Sequence, residues 1–526
     1  MVKRYYFNVV LGILFIGILS ALSYYRVIAS PSLSQADRSE EYNANVTAAL
    51  AGNSCRAGAS GSFDAFAWVD TIGLGWVSTY DASRISLLDA NYMPIVRLKS
   101  ENDYTSYSMS PDASTLSSLA ASYPGRIWQI GNEPDIRSQD NMSPQLYAQA
   151  FHAAYTAIKE GDPTATVSTA PLAMLTPSRL QYWDLVWDAY QEFYNETIPA
   201  DIWSTHVYLI GEGGAANVAV GTDGSLATLG GGDASTCWRE DVICRSEHDD
   251  PDLFETQLRA MRQWMKDHGQ REKPLIVTEW SVLWPYVIDN PGTPEESCFL
   301  ADEFGNCFPP DRVNKYMDAT INVLNSTDPD LGYSHDNDRL VQRYLWFSLY
   351  ISPEYGGGGG ASNLLKDNYI EYGDGNIDAL SDVGLNYKEM ISTQADTVNL
   401  HIIDTQSIGL IDYDDGVTPS AKLRVRYNNN GNHNIQQPFT VSFYHDSELT
   451  DLIGSSTIDP LAYGCGTFDY EVELDWKNLP LGVHQYWVKL DSDDVIVETD
   501  ESRSDNIGMG IVFVGKHGQH LPTIIR

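Results

Sequence analysis

The stretch Ile127-Trp128-Gln129-Ile130-Gly131-Asn132-Glu133-Pro134-Asp135 decides the fold. Its first half is a short apolar run without alternation. That is how a strand buried on both faces reads, and such strands occur in parallel sheets covered by helices. Its second half turns polar and places a glutamate just past the strand end. Six further runs share this texture: Gly75–Tyr80, Pro94–Leu98, Thr166–Thr169, Ile202–Tyr208, Leu275–Thr278 and Tyr344–Phe347. Between them lie amphipathic helix patterns. Pro144–Glu160 has Ser143 as its cap, a first-turn proline and Gly161 at its end, and Asp252–Gly269 is a second. Strand–helix alternation over residues 62–394 predicts an α/β barrel or a doubly wound sheet. A barrel needs eight strands, and the one not placed by these runs is expected before residue 127.

The flanks differ in character. A chain of 526 residues exceeds what one hydrophobic core organises. Residues 1–29 combine Lys3 and Arg4 with the uncharged run Val9–Leu22, which reads as a signal peptide or an N-terminal membrane anchor. The protein is therefore expected outside the cell, secreted or anchored at the outer face of the membrane. Residues 30–61 are polar, rich in small residues and aperiodic, and are read as a linker. From residue 395 the period changes to two, in Ala421–Tyr427, Phe439–Tyr444 and Tyr486–Leu490, with turn signals such as Asn430-Gly431-Asn432 between strands. An immunoglobulin-like β-sandwich is expected over 395–515, followed by a tail at 516–526.

The formal net charge of −38 argues against nucleic-acid and anionic-membrane partners, which need a positive field. Six cysteines in an exported chain read as structural disulfides. Cys237 with Cys244, and Cys298 with Cys307, are close enough in sequence to staple surface loops, while Cys55 and Cys465 either pair with each other or stay free. Their spacings match no zinc site, so no metal is expected.

A second glutamate stands at a strand end, in Ile276-Val277-Thr278-Glu279-Trp280-Ser281. The interval between Glu133 and Glu279 accommodates three βα units, which sets their strands nearly opposite on an eight-stranded ring. Glycosidic bond cleavage needs two carboxyl groups flanking the bond, one to protonate the leaving oxygen and one to attack or to activate water. His206 and Tyr208 lie two apart on one run and share a face. Arg97 ends a run and is positioned to keep Glu279 ionised. Trp280 and Trp284 are expected to line a cleft, and Asp135 to cap a helix. Two insertions, 211–252 and 281–312, follow catalytic-side strands and each contains one local cysteine pair. Gly356–Gly360 is expected either to border the same mouth or to form a slack surface loop.

On these residues the region 62–394 resembles clan A of the glycoside hydrolases, retaining enzymes built on the (β/α)8 TIM barrel. Asn132-Glu133-Pro134 matches the clan's fourth-strand motif, which implies that Glu133 is the acid/base and that Asn132 contacts the sugar 2-hydroxyl. Glu279 with Trp280 matches the seventh-strand nucleophile. The resemblance implies that Tyr208 hydrogen-bonds the nucleophile and that Trp346 floors the sugar subsite, with His206, Trp280 and Arg97 completing the substrate-binding set. It further implies a cofactor-free double displacement at β-glycosidic bonds of a polysaccharide or oligosaccharide, with endo-action as the default. The competing reading is a non-catalytic carbohydrate-binding or adhesive surface protein on a barrel scaffold. The C-terminal region resembles the bacterial adhesion-related (CARDB-like) domains appended to extracellular enzymes, through Asn430-Gly431-Asn432, Asp491-Ser492-Asp493 and Glu498-Thr499-Asp500-Glu501. Such a domain binds a polymer or cell surface or acts as a spacer, and its acidic loops offer oxygen ligands for Ca²⁺ without the spacing of an EF-hand.

Overall fold

Eight parallel strands form the sheet of the first unit: β1 (Ser54–Ser60), β2 (Leu74–Thr79), β3 (Tyr92–Ser100), β4 (Ile127–Ile130), β5 (Thr166–Ser168), β6 (Trp203–His206), β7 (Leu275–Trp280) and β8 (Arg343–Phe347). They pair in the order β5-β4-β3-β2-β1-β8-β7-β6, with a short antiparallel strand, Tyr107–Ser110, added to β3. A single parallel bridge between Ser168 and Ile202 joins the two ends, so the sheet is a nearly closed barrel. The computed structural model describes residues 53–515 with interruptions, the longest at 211–229, 284–292 and 352–361. The expected N-terminal signal or anchor segment, most of the expected linker, the expected tail, Trp284 and Gly356–Gly360 lie outside the described residues. No described helix is long and apolar enough to cross a membrane.

The strand that the apolar runs do not reveal is β1. Its sequence, Ser-Cys-Arg-Ala-Gly-Ala-Ser, has no β-branched or aromatic residue, and for that reason it reads as the end of the linker; all seven residues are buried. Small residues are required because the neighbouring strand crowds it. A Cβ on Gly58 would stand 2.6 Å from the Trp76 carbonyl oxygen. The barrel therefore begins at Ser54, within the stretch assigned above to a linker ending at residue 61.

Helices α1 (Val69–Ile72), α2 (Ala113–Ser122), α3 (Pro144–Gly161), α4 (Pro177–Tyr194), α5 (Pro251–Asp267), α6 (Pro310–Leu324) and α7 (Asp382–Ser392) stand between and after the strands. Their starts follow from local chemistry. Ser143 accepts the Leu146 N–H and Pro144 opens α3, while Asp250 accepts the N–H groups of Asp252 and Leu253 ahead of α5; such a cap contributes about 1 kcal/mol. Gly161 closes α3 for a packing reason, since a Cβ there would lie 2.1 Å from the Ser117 carbonyl oxygen of α2.

Trp280 and Trp346 do not line the cleft. Both are fully buried and face outward from the barrel, with ring centroids 4.5 Å apart. Trp280 packs on Phe254 of α5 and Tyr316 of α6, and Trp346 on Tyr387 of α7, its Nε1 donating to the Ser362 carbonyl at 2.7 Å. Strand side chains alternate, so Glu279 and Phe347 take the opposite face. Phe347 is partly exposed, with its ring 6.5 Å from that of Tyr208.

The second unit begins at Ala395 and has its own core. A three-stranded sheet orders β9 (Leu400–Ile408), β10 (Ala421–Asn429) and β13 (Tyr470–Trp476) with β10 central. A second sheet orders β15 (Ile507–Gly515), β14 (Gly482–Lys489), β11 (Phe439–Tyr444) and β12 (Leu452–Ile458), with the pair Ile411–Asp412 parallel to β15 at its edge. Leu423, Val425, Phe443, Tyr486 and Val488 meet in the core. Two acidic residues of its described loops bond the protein itself, while Thr499–Glu501 lie outside the described residues. Asp491 accepts the N–H groups of Val495 and Ile496, both at 3.0 Å, and Glu498 accepts the Leu400 N–H at 2.9 Å and the Asn506 amide at 2.7 Å.

Candidate active site

β4 ends at Ile130, and the chain then makes a turn that only a special backbone allows. Gly131 has φ +90° and Glu133 φ +45°, a left-handed conformation that is unusual for a glutamate and is typical of strained functional positions. Several bonds hold it. The Glu133 N–H donates to the Pro171 carbonyl at 3.1 Å, the Asn132 N–H to Asp140 Oδ2 at 2.6 Å, and the Met142 N–H to the Pro134 carbonyl at 2.8 Å. The result is a Glu133 side chain buried at the barrel mouth.

Glu279 reaches the same place from β7, where it pairs in register with His206 of β6. His206 stands between the two carboxyl groups, Nδ1 lying 2.9 Å from Glu133 Oε1 and Nε2 lying 3.7 Å from Glu279 Oε1. Tyr208 donates to Glu279 Oε2 at 2.8 Å, and Tyr80, just past β2, donates to Oε1. One ligand atom from each of Glu133, His206 and Glu279 lies within 4.8 Å of the others, a spacing that also suits a cation. In the other such group, Cys237, Cys244 and Glu303, both sulfurs are in a disulfide and so are not thiolate ligands.

Burial dominates the electrostatics. It pushes Glu133 up to about 7, against the pull of the Arg179 and Arg97 guanidiniums and with help from Asp140. Burial also raises Glu279, with His206 and the two phenol bonds acting in the opposite direction. Burial pushes His206 down, favouring its uncharged form, with Glu279 and Asp135 acting in the opposite direction.

Two expectations change here. Arg97 does not approach Glu279; it pairs with Asp140 through Nη2 at 2.9 Å and Nε at 3.2 Å. Asp135 caps no helix, because α3 begins nine residues later under Ser143. Its carboxylate is fully buried and bonds Arg179 of α4 at 2.8 Å. Asn132 has its side-chain oxygen buried without a protein partner, next to Glu133. Tyr80, Asp140 and Arg179 are the site residues that the sequence reading misses. Tyr80 had a signal, since it closes the run Gly75–Tyr80 at the same strand end as the glutamates. Asp140 and Arg179 had none, being single charged residues on a loop and in a helix's first turn.

The insertions after β6 and β7 are tied together in their described parts. Disulfides join Cys237 to Cys244 and Cys298 to Cys307, and no described cysteine is free. Buried His248 donates from Nδ1 to the Leu209 carbonyl at 2.7 Å and accepts the Leu283 N–H on Nε2 at 2.8 Å. Arg312 bonds Asp249 through Nη2 at 2.6 Å and contacts Asp302 at 3.5 Å.

No family model and no curated protein matches the chain. Among solved structures, an endo-β-1,3-glucanase of GH128 subgroup II from Sorangium cellulosum is similar at 15% identity and TM-score 0.36, over 64% of this chain and 98% of that one. A curdlan-specific exo-β-1,3-glucanase of GH128 subgroup III from Blastomyces gilchristii is similar at 15% identity and TM-score 0.37, over 64% and 99%. The CARDB domain of a Pyrococcus furiosus protein is similar at 18% identity and TM-score 0.18, over 23% and 97%.

Proposed function

We propose that the chain is a glycoside hydrolase that cleaves β-glycosidic bonds with retention, with Glu279 as nucleophile and Glu133 as acid/base. The observation behind this reading is that a carboxylate oxygen of each lies within 4.8 Å of the other. Retaining pairs stand about 5–5.5 Å apart, whereas inverting pairs need about 6.5–9.5 Å to admit a water between carboxyl group and sugar. The environments divide the roles. Two phenols donate to Glu279 and stabilise its anion, as a nucleophile requires. Glu133, with its pKa raised to about 7, keeps a proton for the leaving oxygen. The buried Asn132 oxygen suits a substrate hydroxyl. The substrate is a β-linked glycan, cut internally, and the protein acts outside the cell, where its disulfides persist. The second unit is an immunoglobulin-like sandwich that holds the enzyme to a polymer or cell surface.

The test is the pH dependence of kcat/KM on β-glucans, mannan, xylan and galactan. Glu133 must be protonated in the first step, and a raised pKa extends that state upward to about pH 7. The rate on whichever glycan is cut is therefore expected to fall by about tenfold per pH unit beyond that point. A panel left uncut, or a rate sustained to high pH, overturns the reading.

A further inference from the structure

Each oxygen of Glu279 receives a phenol, Tyr80 on Oε1 and Tyr208 on Oε2. Tyr80 does not stand alone. The Arg97 guanidinium lies 5.3 Å from its ring centroid, a cation–π approach. Arg97 is gripped in turn by Asp140 through two nitrogens, at 2.9 and 3.2 Å. The second oxygen of Asp140 takes the backbone N–H of Asn132 at 2.6 Å, immediately before Glu133. A continuous set of contacts thus runs from the acid/base turn through Asp140, Arg97 and Tyr80 to the nucleophile, separate from the His206 bridge. Asp140 is fully buried and Tyr80 is half-buried at the mouth.

We propose that Tyr80 is a second catalytic phenol, whose hydrogen bond stabilises the Glu279 carboxylate as it departs from the sugar, and that Arg97 and Asp140 are the residues that position its ring. This rests on the reading of Glu279 as nucleophile. In the first step an electron pair on a Glu279 oxygen forms the bond to the anomeric carbon. The bond from that carbon to the leaving oxygen breaks, and Glu133 gives that oxygen its proton. In the second step a water oxygen bonds to the anomeric carbon, a proton of that water passes to Glu133, and the ester bond breaks with its electron pair returning to Glu279. A phenol donating to Glu279 weakens it as nucleophile in the first step and stabilises it as leaving group in the second. Loss of the phenol therefore slows the second step selectively.

The experiment uses the dinitrophenyl β-glycoside of whichever sugar the wild type cleaves, because its good leaving group makes the second step limiting. Tyr80→Phe is expected to lower kcat by about 10–100-fold, the range of a hydrogen bond to a charged group, and to lower KM with it so that kcat/KM changes little. Arg97→Lys keeps the charge but loses the two-pronged grip on Asp140, and is expected to shift both constants the same way by a smaller factor. Replacement of Tyr80 by 3-fluorotyrosine, a stronger donor of nearly the same shape, is expected to raise kcat, which keeps the test available should Tyr80→Phe fold poorly. Equal losses in kcat and kcat/KM for Tyr80→Phe, or an unchanged kcat, overturn the proposal. In parallel, the wild type is treated with the matching 2-deoxy-2-fluoro glycoside. Absence of a covalent adduct on Glu279 overturns the nucleophile reading and this proposal with it, whereas an adduct with Tyr80→Phe unchanged overturns this proposal alone.

Discussion

Replacing Glu279 by alanine is expected to lower glycan hydrolysis by about 10⁴-fold or more, and added azide to restore turnover of an aryl glycoside as the α-glycosyl azide. The magnitude follows from removing the group that forms the covalent intermediate, for which no other described carboxylate at the mouth substitutes. The stereochemistry follows from geometry. Deleting Glu279 opens the face of the sugar opposite the leaving group, while Glu133 remains to protonate that group, so azide enters from the vacated side. The corresponding Glu133→Ala variant keeps the nucleophile and loses the proton donor. It forms the glycosyl-enzyme from an aryl glycoside, and azide then yields the β product. Opposite anomers from the two variants assign the two roles. The same anomer from both contradicts them.

Arg179→Met is expected to destabilise the first unit by about 3–5 kcal/mol, read from urea unfolding near pH 8. Arg179 and Asp135 form a buried pair at 2.8 Å, with the Arg179 guanidinium also donating to the Asp135 carbonyl at 2.9 Å. Removing the cation strands a carboxylate without exposure to water. Burial already lifts Asp135 to about 6 even with its partner, and loss of the arginine lifts it further. A raised acid contributes its full stability below the unfolded value and loses it as pH rises through the folded one. The deficit of the variant is therefore smaller at pH 5 than at pH 8. The double variant with Asp135→Asn is expected to recover part of the loss at pH 8, because no ion then remains buried. A deficit independent of pH assigns the effect to packing. Arg179 also draws Glu133 down, so the alkaline limb of activity should move to higher pH in the variant.

The barrel was legible because parallel strands buried on both faces leave short apolar runs, and seven of the eight did so. β1 left none, since crowding by Trp76 selects small residues that read as linker. The two glutamates were legible for the same reason: each is the first acid after a buried run. What apolar runs do not encode is the phase of the strand. In β8 apolar residues occupy both faces beside Trp346, so nothing marks it as helix-facing or cleft-facing, whereas Trp280 has a mark in its neighbour Glu279, from which alternation turns it away. Longer-range ion pairs escaped for a different reason. Arg97 finds Asp140, and Arg179 finds Asp135, only through the turn that the left-handed Glu133 imposes. Sequence spacing does not report that turn.

Retention of anomeric configuration is the property on which the account stands. Proton NMR of the first sugar released from a β-glycan resolves it before mutarotation mixes the anomers. With carboxylate oxygens of Glu133 and Glu279 within 4.8 Å, the account predicts that the β-anomer appears first and the α-anomer grows in later. Initial release of the α-anomer would contradict it, because only direct attack by water between more widely spaced carboxyl groups gives that product.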